Sequence, residues 1–310
     1  MASVGGARPG DTRIYARLTM LRSRGLSGIL TTANYKLLYL LAHGLSRERR
    51  IILSYPQKPW FGHTLYKVAH LLGYRLTTDP AVHNPAVIVS YEDTTRNSSG
   101  SRLESLCASS RVVNGSCTDI SKERVEQVFS AVFGRTTFVD PRSHHGWCVM
   151  KSNENALHDG QLVECPCEPV DDYVYQRTID NEIGGGLTRD LRVPVMGTSV
   201  PFVYHKDRSL RSRFGPPVIR AQIVPTSAVF SAEEIDLICR FAQQMGLDYG
   251  ELDILRDNGD GQIYIVDANK TPMGPAPGLS RWNRIRAVLT LSRTFKEVFL
   301  SGDGARPGVD

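Results

Sequence analysis

The stretch GELDILRDNGDGQIYIVDANKTPMGP, residues 250–275, constrains this chain more than any other. Two runs of strand-forming residues flank DNGDG (257–261), all of them turn formers, so the stretch reads as a β-hairpin. Alternation along QIYIVDAN puts Ile263, Ile265, Asp267 and Asn269 on one face. A turn centred near Gly259 or Asp260 brings Asp253 opposite or diagonal to Asp267 on that same face. Two carboxylates and an amide oxygen then converge on a small volume inside otherwise apolar strands. Like charges that close repel, and burial sharpens the repulsion. A divalent cation relieves both costs, and an all-oxygen ligand set selects a hard ion, Mg2+ or Mn2+ as its substitute. The pattern also fits two surface carboxylates on an exposed strand face. An EF-hand calcium loop fits poorly, because placing Gly261 at its sixth position puts Arg256 at the first, where a carboxylate is required.

The rest of the chain is that of an ordinary globular protein. It has 310 residues, 41% hydrophobic and 22% charged, with no apolar run long enough to span a bilayer and no apolar h-region near residue 1. The net charge is +5, and of 37 basic residues 29 are arginine and 8 lysine. Arginine suits anionic ligands such as phosphates and carboxylates. The basic residues are dispersed among acidic ones, which disfavours a nucleic-acid partner. Cys107, Cys117, Cys148, Cys165, Cys167 and Cys239 are scattered without a CxxC pair, and read most simply as reduced thiols in a cytoplasmic protein. Cys165-Pro-Cys167 is read as a loop, with metal ligation or redox sensing as the alternatives.

Residues 1–13 and 302–310, rich in Gly, Ala, Arg and Pro, read as tails. NYKLLYLLAHGL (34–45) reads as a buried helix, IILSY (51–55) as a strand, GHTLYKVAHLLG (62–73) as a helix and AVIVSY (86–91) as a strand: a small α/β domain over 30–117. Trp60, Phe61 and His63, between strand and helix, suit either a pocket or plain packing. From 118 to 300 the pattern is α+β. TDISKERVEQVFSAVFG (118–134) is an amphipathic helix closed by Gly134, and Ser231…Glu234 is a capping box. GWCVMKSNENALHDGQLVEC (146–165) is a strand followed by a polar turn, and TRDLRVPVMGTSVPFVYHKD (188–207) is a hairpin. IGGGL (183–187) is a turn rather than a phosphate cradle, since it matches neither GxxxxGK[ST] nor GxGxxG. His144-His145 and His158-Asp159 read as loop residues.

An Asp, a hairpin, then acid-x-Asn and a Thr-Pro loop resemble the metal-binding end of the ATP-grasp superfamily. The D-alanine:D-alanine ligases and the glutamate-adding peptide ligases are among its members. The resemblance is strong over 231–278, fair over 146–215 and vague over 30–115. It implies an ATP-grasp fold, with two α+β subdomains gripping ATP behind a small α/β domain. The family generally has Glu where this chain has Asp267, one methylene shorter, and the hairpin loop is about one residue longer here.

The resemblance also assigns roles. Asp253, Asp267 and Asn269 ligate the metal, with Glu251 as an extra ligand only if its strand is regular. Lys151, ending an apolar strand, contacts phosphate unless it is an ordinary strand-end lysine. Asp190 and Arg192 share a strand face, and Lys206 lies on the return strand. Lys206 contacts phosphate, and Arg192 holds substrate or the transferred phosphoryl group, with Asp190 orienting it or merely pairing with it. Among Arg208, Arg211 and Arg213, Arg213 approaches phosphate unless that loop is simply solvated. Gln176 stands at the adenine hinge, where Glu is common. Asn153, Asn155 and His158 lie where a lid over ATP would be, and Thr271 begins a loop bordering the acceptor site. The implied activity is ATP- and Mg-dependent ligation of a small-molecule carboxylate to an amine through an acyl phosphate. The alternatives are an ATP-grasp-type kinase and a nucleotide-binding protein without catalysis. Oligomeric state is open.

Overall fold

A computed structural model of the protein describes residues 50–98, 103–106, 110–157, 159–212, 214–215 and 217–301. The helix expected over 34–45, both tails, Cys107, His158 and Arg213 lie outside the described residues.

Strand β1 (Ile51–Pro56), helix α1 (Thr64–Leu71), β2 (Arg75–Thr77), β3 (Val87–Tyr91) and β4 (Val112–Val113) come first. Their four strands form an all-parallel sheet in the order β2-β1-β3-β4. The short apolar runs of β1 and β3 are what such a sheet requires, because both faces are covered. Helix α2 (Lys122–Phe133) follows, capped by Ser121, whose hydroxyl accepts the Arg124 N–H. It stops at Gly134, whose φ of 68° favours glycine. Its stripe of Val125, Val128 and Phe129 is buried.

A second, antiparallel sheet has the order β6-β5-β7, from β5 (Gly146–Ser152), β6 (Gln161–Cys165) and β7 (Tyr173–Arg177). The third and largest is built from β8 (Glu182–Gly184), β9 (Leu187–Met196), β10 (Val203–Ser209), β11 (Arg220–Val224), β12 (Tyr249–Arg256) and β13 (Ile263–Asn269). Its order is β11-β10-β9-β12-β13, with β8 paired to β9. The glycine run closes the β8–β9 hairpin. Helix α3 (Ala232–Gln244) carries the expected capping box, Ser231 with Glu234. The last helix, α4 (Arg281–Phe295), continues into a π-helical turn, Lys296–Leu300.

The two faces of the large sheet have different neighbours. Leu191, Val193, Leu252, Ile254, Ile263 and Ile265 pack against α2 and α3 in one apolar core. On the opposite face, Met196, Tyr204 and Tyr249 join a second core with α1 and α4. Moving along β12 from Tyr249, that second face passes through Glu251 to Asp253 and leaves the core for a cleft. The α/β layer followed by α+β sheets is the architecture expected. No helix among the described residues is long and apolar enough to cross a membrane.

Candidate active site

Asp253 and Asp267 are direct cross-strand partners, and Glu251 pairs with Asn269 one step further on. Asp253 also lies opposite Arg192 on β9. Directly opposed residues share a face. Asp253, Asp267, Asn269, Glu251 and Arg192 therefore project together from the floor of the cleft.

The alternation expected along β13 fails at one residue. Asp253 pairs with Asp267, but Ile254 pairs with Ile265, so Val266 is a bulge. A bulge shifts the side-chain phase of a strand by one. Ile263 and Ile265 consequently enter the apolar core, at most 1% exposed, while Asp267 and Asn269 face the cleft. The bulge also leaves the Val266 carbonyl outside the ladder, and Lys151 Nζ donates to it at 3.0 Å.

Basic side chains balance the acids. Arg192 grips Asp253 with two parallel hydrogen bonds of 2.9 Å and reaches Glu251 at 3.5 Å. Lys206 Nζ stands 3.5 Å from Asp253. Lys122 Nζ donates to Asp267 at 2.8 Å and to Asn155 Oδ1 at 3.2 Å. Burial alone would raise the Asp253 carboxyl, but Arg192 and Lys206 outweigh it and hold it well below the usual carboxylate range. Burial pushes Glu251 up to about 7 against the pull of Arg192. Its Oε2 is buried without a hydrogen bond. For Lys151, burial and then the Lys122 charge lower the ammonium to about 8. Lys206 is lowered for the same kind of reason, burial first and Arg192 second.

A cavity of about 200 Å³ opens between the three-stranded sheet and the large one. Val149, Ile179, Leu255 and Val266 supply apolar walls; Lys122, Lys151, Asp253 and Asp267 supply charge. Apolar walls with a few convergent polar groups are the usual make-up of a ligand site. Phe214 crosses towards the β5–β6 loop, its ring 3.2 Å from where a Cβ on Gly160 would sit.

The donor set suits a hard divalent cation in chemistry and openness. All its ligands are oxygen, and among the described residues no three His, Cys, Asp or Glu side chains enclose an ion by themselves. Magnesium is typically held by one or two carboxylates, its other positions left to water or phosphate. Asn269 Oδ1 accepts the Thr271 N–H at 2.9 Å, which fixes the orientation of the amide.

Other expected residues take places of their own. Gln176 lines the cavity, but its amide donates to Thr137 Oγ1 at 2.9 Å. Asp190 does not orient Arg192. It accepts from Arg208 Nε at 2.7 Å and from Asn181, while Asp253 takes the Nε and Nη2 donors of Arg192. The Asn153 side chain accepts the Glu123 N–H and donates to the Glu123 carboxylate at the start of α2, and the Asn155 backbone N–H donates to Thr95 Oγ1, so these bonds anchor the β5–β6 loop. The Thr271 hydroxyl donates to Asp93, beyond the end of β3, and joins the parallel sheet to the site.

Lys122 joins the site without belonging to any of the motifs that point to it. Its side chain is buried and sits between Asp267 and Asn155. A signal was present: Lys122 is the first residue of α2, where the helix dipole favours acids over bases. A lysine there works against its own helix and points to another task.

Comparison with protein-family models and with curated proteins returns no match. Solved structures do match. D-alanine–D-alanine ligase from Bacillus anthracis gives a TM-score of 0.51 at 11% identity, covering 82% of this chain and 98% of that one. PsnB, an ATP-grasp ligase solved with a minimal precursor, Mg and ADP, gives 0.49 at 15% identity, covering 78% and 98%. The macrocyclase MdnB from Microcystis aeruginosa MRC gives 0.44 at 12% identity, covering 81% and 99%.

Proposed function

On the ATP-grasp fold that this likeness establishes, we propose that the protein is an ATP-dependent ligase. It would activate a small-molecule carboxylate as an acyl phosphate and join it to an amine, releasing ADP and phosphate. One observation carries the reading. Four basic side chains and two carboxylates from six separate elements meet at the charged part of a cleft whose remaining walls are apolar. Phosphoryl transfer asks a protein mainly for positioning and charge neutralisation.

Asp253, Asp267 and Asn269 are the residues that would hold Mg2+, or Mn2+ in its stead. The ion, when bound, supplies positive charge to the β- and γ-phosphate oxygens. Lys122 and Lys151 reach into the same cavity from α2 and β5 and would hold phosphate oxygens. Lys206 and Arg192 stand beside Asp253 and would meet the transferred phosphoryl group; Arg213 remains a candidate for the same task. Gln176 and Ile179 border the cavity where an adenine ring would lie. The carboxylate and amine would enter from the side of Thr271 and the loop that follows it.

The test is ADP release measured against panels of amino acids, other carboxylic acids, amines and sugar acids. The expected result is release that requires a carboxylic acid, with a product mass equal to acid plus amine minus water. A phosphate ester accumulating without any amine would make the protein a kinase, and failure to bind ATP with Mg2+ would end the ATP-site reading.

Lys151 makes ATP affinity depend on pH. Its ammonium is charged below about 8 and neutral above it. Only the charged form attracts phosphate, so affinity is full on the acidic side and lost as pH rises. ATP Kd, measured by calorimetry, rises about tenfold between pH 7 and pH 9. Lys151→Arg stays charged throughout and flattens the profile. A wild-type Kd that is constant over this range would remove Lys151 from the phosphate site.

A further inference from the structure

Behind the cleft, the three-stranded sheet holds a second cluster of reactive groups. Cys148 on β5 and Cys165 on β6 occupy diagonal positions of an antiparallel pair, in which Gly146 opposes Cys165 and Cys148 opposes Val163. Their sulfurs are 3.2 Å apart. Cys167, two residues beyond Cys165, brings its sulfur to 3.8 Å from that of Cys165. The cluster packs with Met150 and Tyr175 on the face of β5 opposite Val149 and Lys151. Cys165 thus touches both of the other thiols.

Exposure falls along the row. Cys167 is half-buried, Cys165 is 5% exposed and Cys148 is fully buried. An oxidant meets the outer sulfur first, whereas the closest pair is the inner one. Joining Cys148 to Cys165 requires their sulfurs to approach by only about 1.1 Å. Among the described residues no group of three metal-ligating side chains is arranged to enclose an ion. Burial raises all three thiols, which leaves the reduced cluster largely protonated and slow to react near neutral pH.

We propose that Cys167, Cys165 and Cys148 form a thiol relay that accepts oxidation from a hydroperoxide at Cys167 and stores it as a Cys148–Cys165 disulfide. The steps balance. The Cys167 thiolate attacks the terminal oxygen of ROOH, forming a sulfenic acid and releasing ROH once the leaving alkoxide is protonated. Cys165 sulfur attacks Cys167 sulfur, a Cys165–Cys167 bond forms, and the sulfenic hydroxyl leaves as water with the Cys165 proton. Cys148 then attacks Cys165 sulfur, the Cys165–Cys167 bond breaks, and the Cys167 thiolate takes the proton that Cys148 gives up. In sum, two thiols are oxidised to one disulfide, and one hydroperoxide is reduced to an alcohol and water.

The experiment treats the reduced full chain with hydrogen peroxide at pH 8, unfolds it in guanidinium containing iodoacetamide to block every free thiol, and maps peptides without reduction. The expected result is a cross-linked Cys148–Cys165 peptide that dithiothreitol reverses. Cys148→Ser stops the sequence at a Cys165–Cys167 disulfide. Cys167→Ser slows cross-linking on the order of tenfold, because peroxide must then reach a buried sulfur. Two results overturn the proposal. In one, Cys148 and Cys165 remain fully alkylatable at a peroxide dose that oxidises the half-buried Cys239. In the other, a stoichiometric metal ion is found on the three sulfurs.

Discussion

Asp267→Ala lowers ATP turnover by about 10³-fold, the scale seen when a group that stabilises transition-state charge is removed. Asp267 has two tasks that the substitution separates. It accepts from the buried Lys122 at 2.8 Å, and it stands directly across from Asp253, where a divalent cation would be shared. Truncation leaves Lys122 with Asn155 Oδ1 as its remaining acceptor, at a cost of about 1–3 kcal/mol. A fold this size tolerates that loss, so circular dichroism should remain unchanged while turnover collapses. Asp267→Asn sharpens the test, since it keeps an acceptor for Lys122 and removes only the charge. Its melting temperature stays near wild type and its turnover falls at least about 10²-fold. Near-normal ADP release by Asp267→Ala would withdraw the metal assignment.

That pair of carboxylates was legible in the sequence because a tight hairpin fixes its own register. Five turn-forming residues between two apolar runs leave little freedom in which residues oppose each other, and Asp253 does face Asp267. The bulge at Val266 was not legible. A single extra residue changes no composition and is decided by what both faces of the strand must meet: the α2–α3 core for Ile263 and Ile265, the cleft for Asp267. Uninterrupted alternation would have placed Asp267 on the face of the two isoleucines. The sheet resolves that conflict by breaking its ladder once.

Partners far apart in sequence were legible only in part. Arg192 and Asp190 share a strand face, and nearness along the chain made them look like a pair. In the sheet Arg192 has a better partner on β12, 61 residues away, and Asp190 turns to Arg208. Lys122 and Asp267 are 145 residues apart, and nothing local links them. The wrong sign of charge at the start of α2 was the only local trace of that contact. Elements with strong periodicity or caps, such as α2, α3 and the β9–β10 hairpin, followed from local rules. The short strands β2, β4, β8 and β11 did not, because strands of two to five residues exist through pairing with neighbours rather than through their own propensity.

Arg192→Ala is expected to destabilise the protein more than any other single change at the site. The guanidinium bridges Asp253 by two hydrogen bonds of 2.9 Å and lies 3.5 Å from Glu251, which is 2% exposed. Without it, two acids on one face of β12 are left with Lys206, 3.5 Å from Asp253, as the nearest cation. Removing one member of a buried ion pair costs about 3–5 kcal/mol. Asp253 and Arg192 retain some solvent contact, which puts the expectation at the lower end. That corresponds to a fall in melting temperature on the order of 10 °C for a domain of this size.

The same variant reports on the metal site without any turnover. In the wild type, Arg192 competes with a cation for Asp253. In Arg192→Ala the cleft keeps Asp253, Asp267, Asn269 and Glu251 and loses a positive charge, so a divalent ion binds more tightly. Binding to the native state alone stabilises by RT ln(1 + [L]/Kd), about 2.7 kcal/mol at a hundredfold excess over Kd. Millimolar Mg2+ should therefore restore several degrees to Arg192→Ala and much less to the wild type, while potassium at equal ionic strength restores neither. Equal responses of the two proteins to Mg2+ would mean that Asp253 is the structural partner of Arg192 and no ligand of an ion. The Arg192→Ala/Asp253→Asn double variant closes the cycle: with the unpaired charge gone, its stability should recover and its response to Mg2+ should disappear.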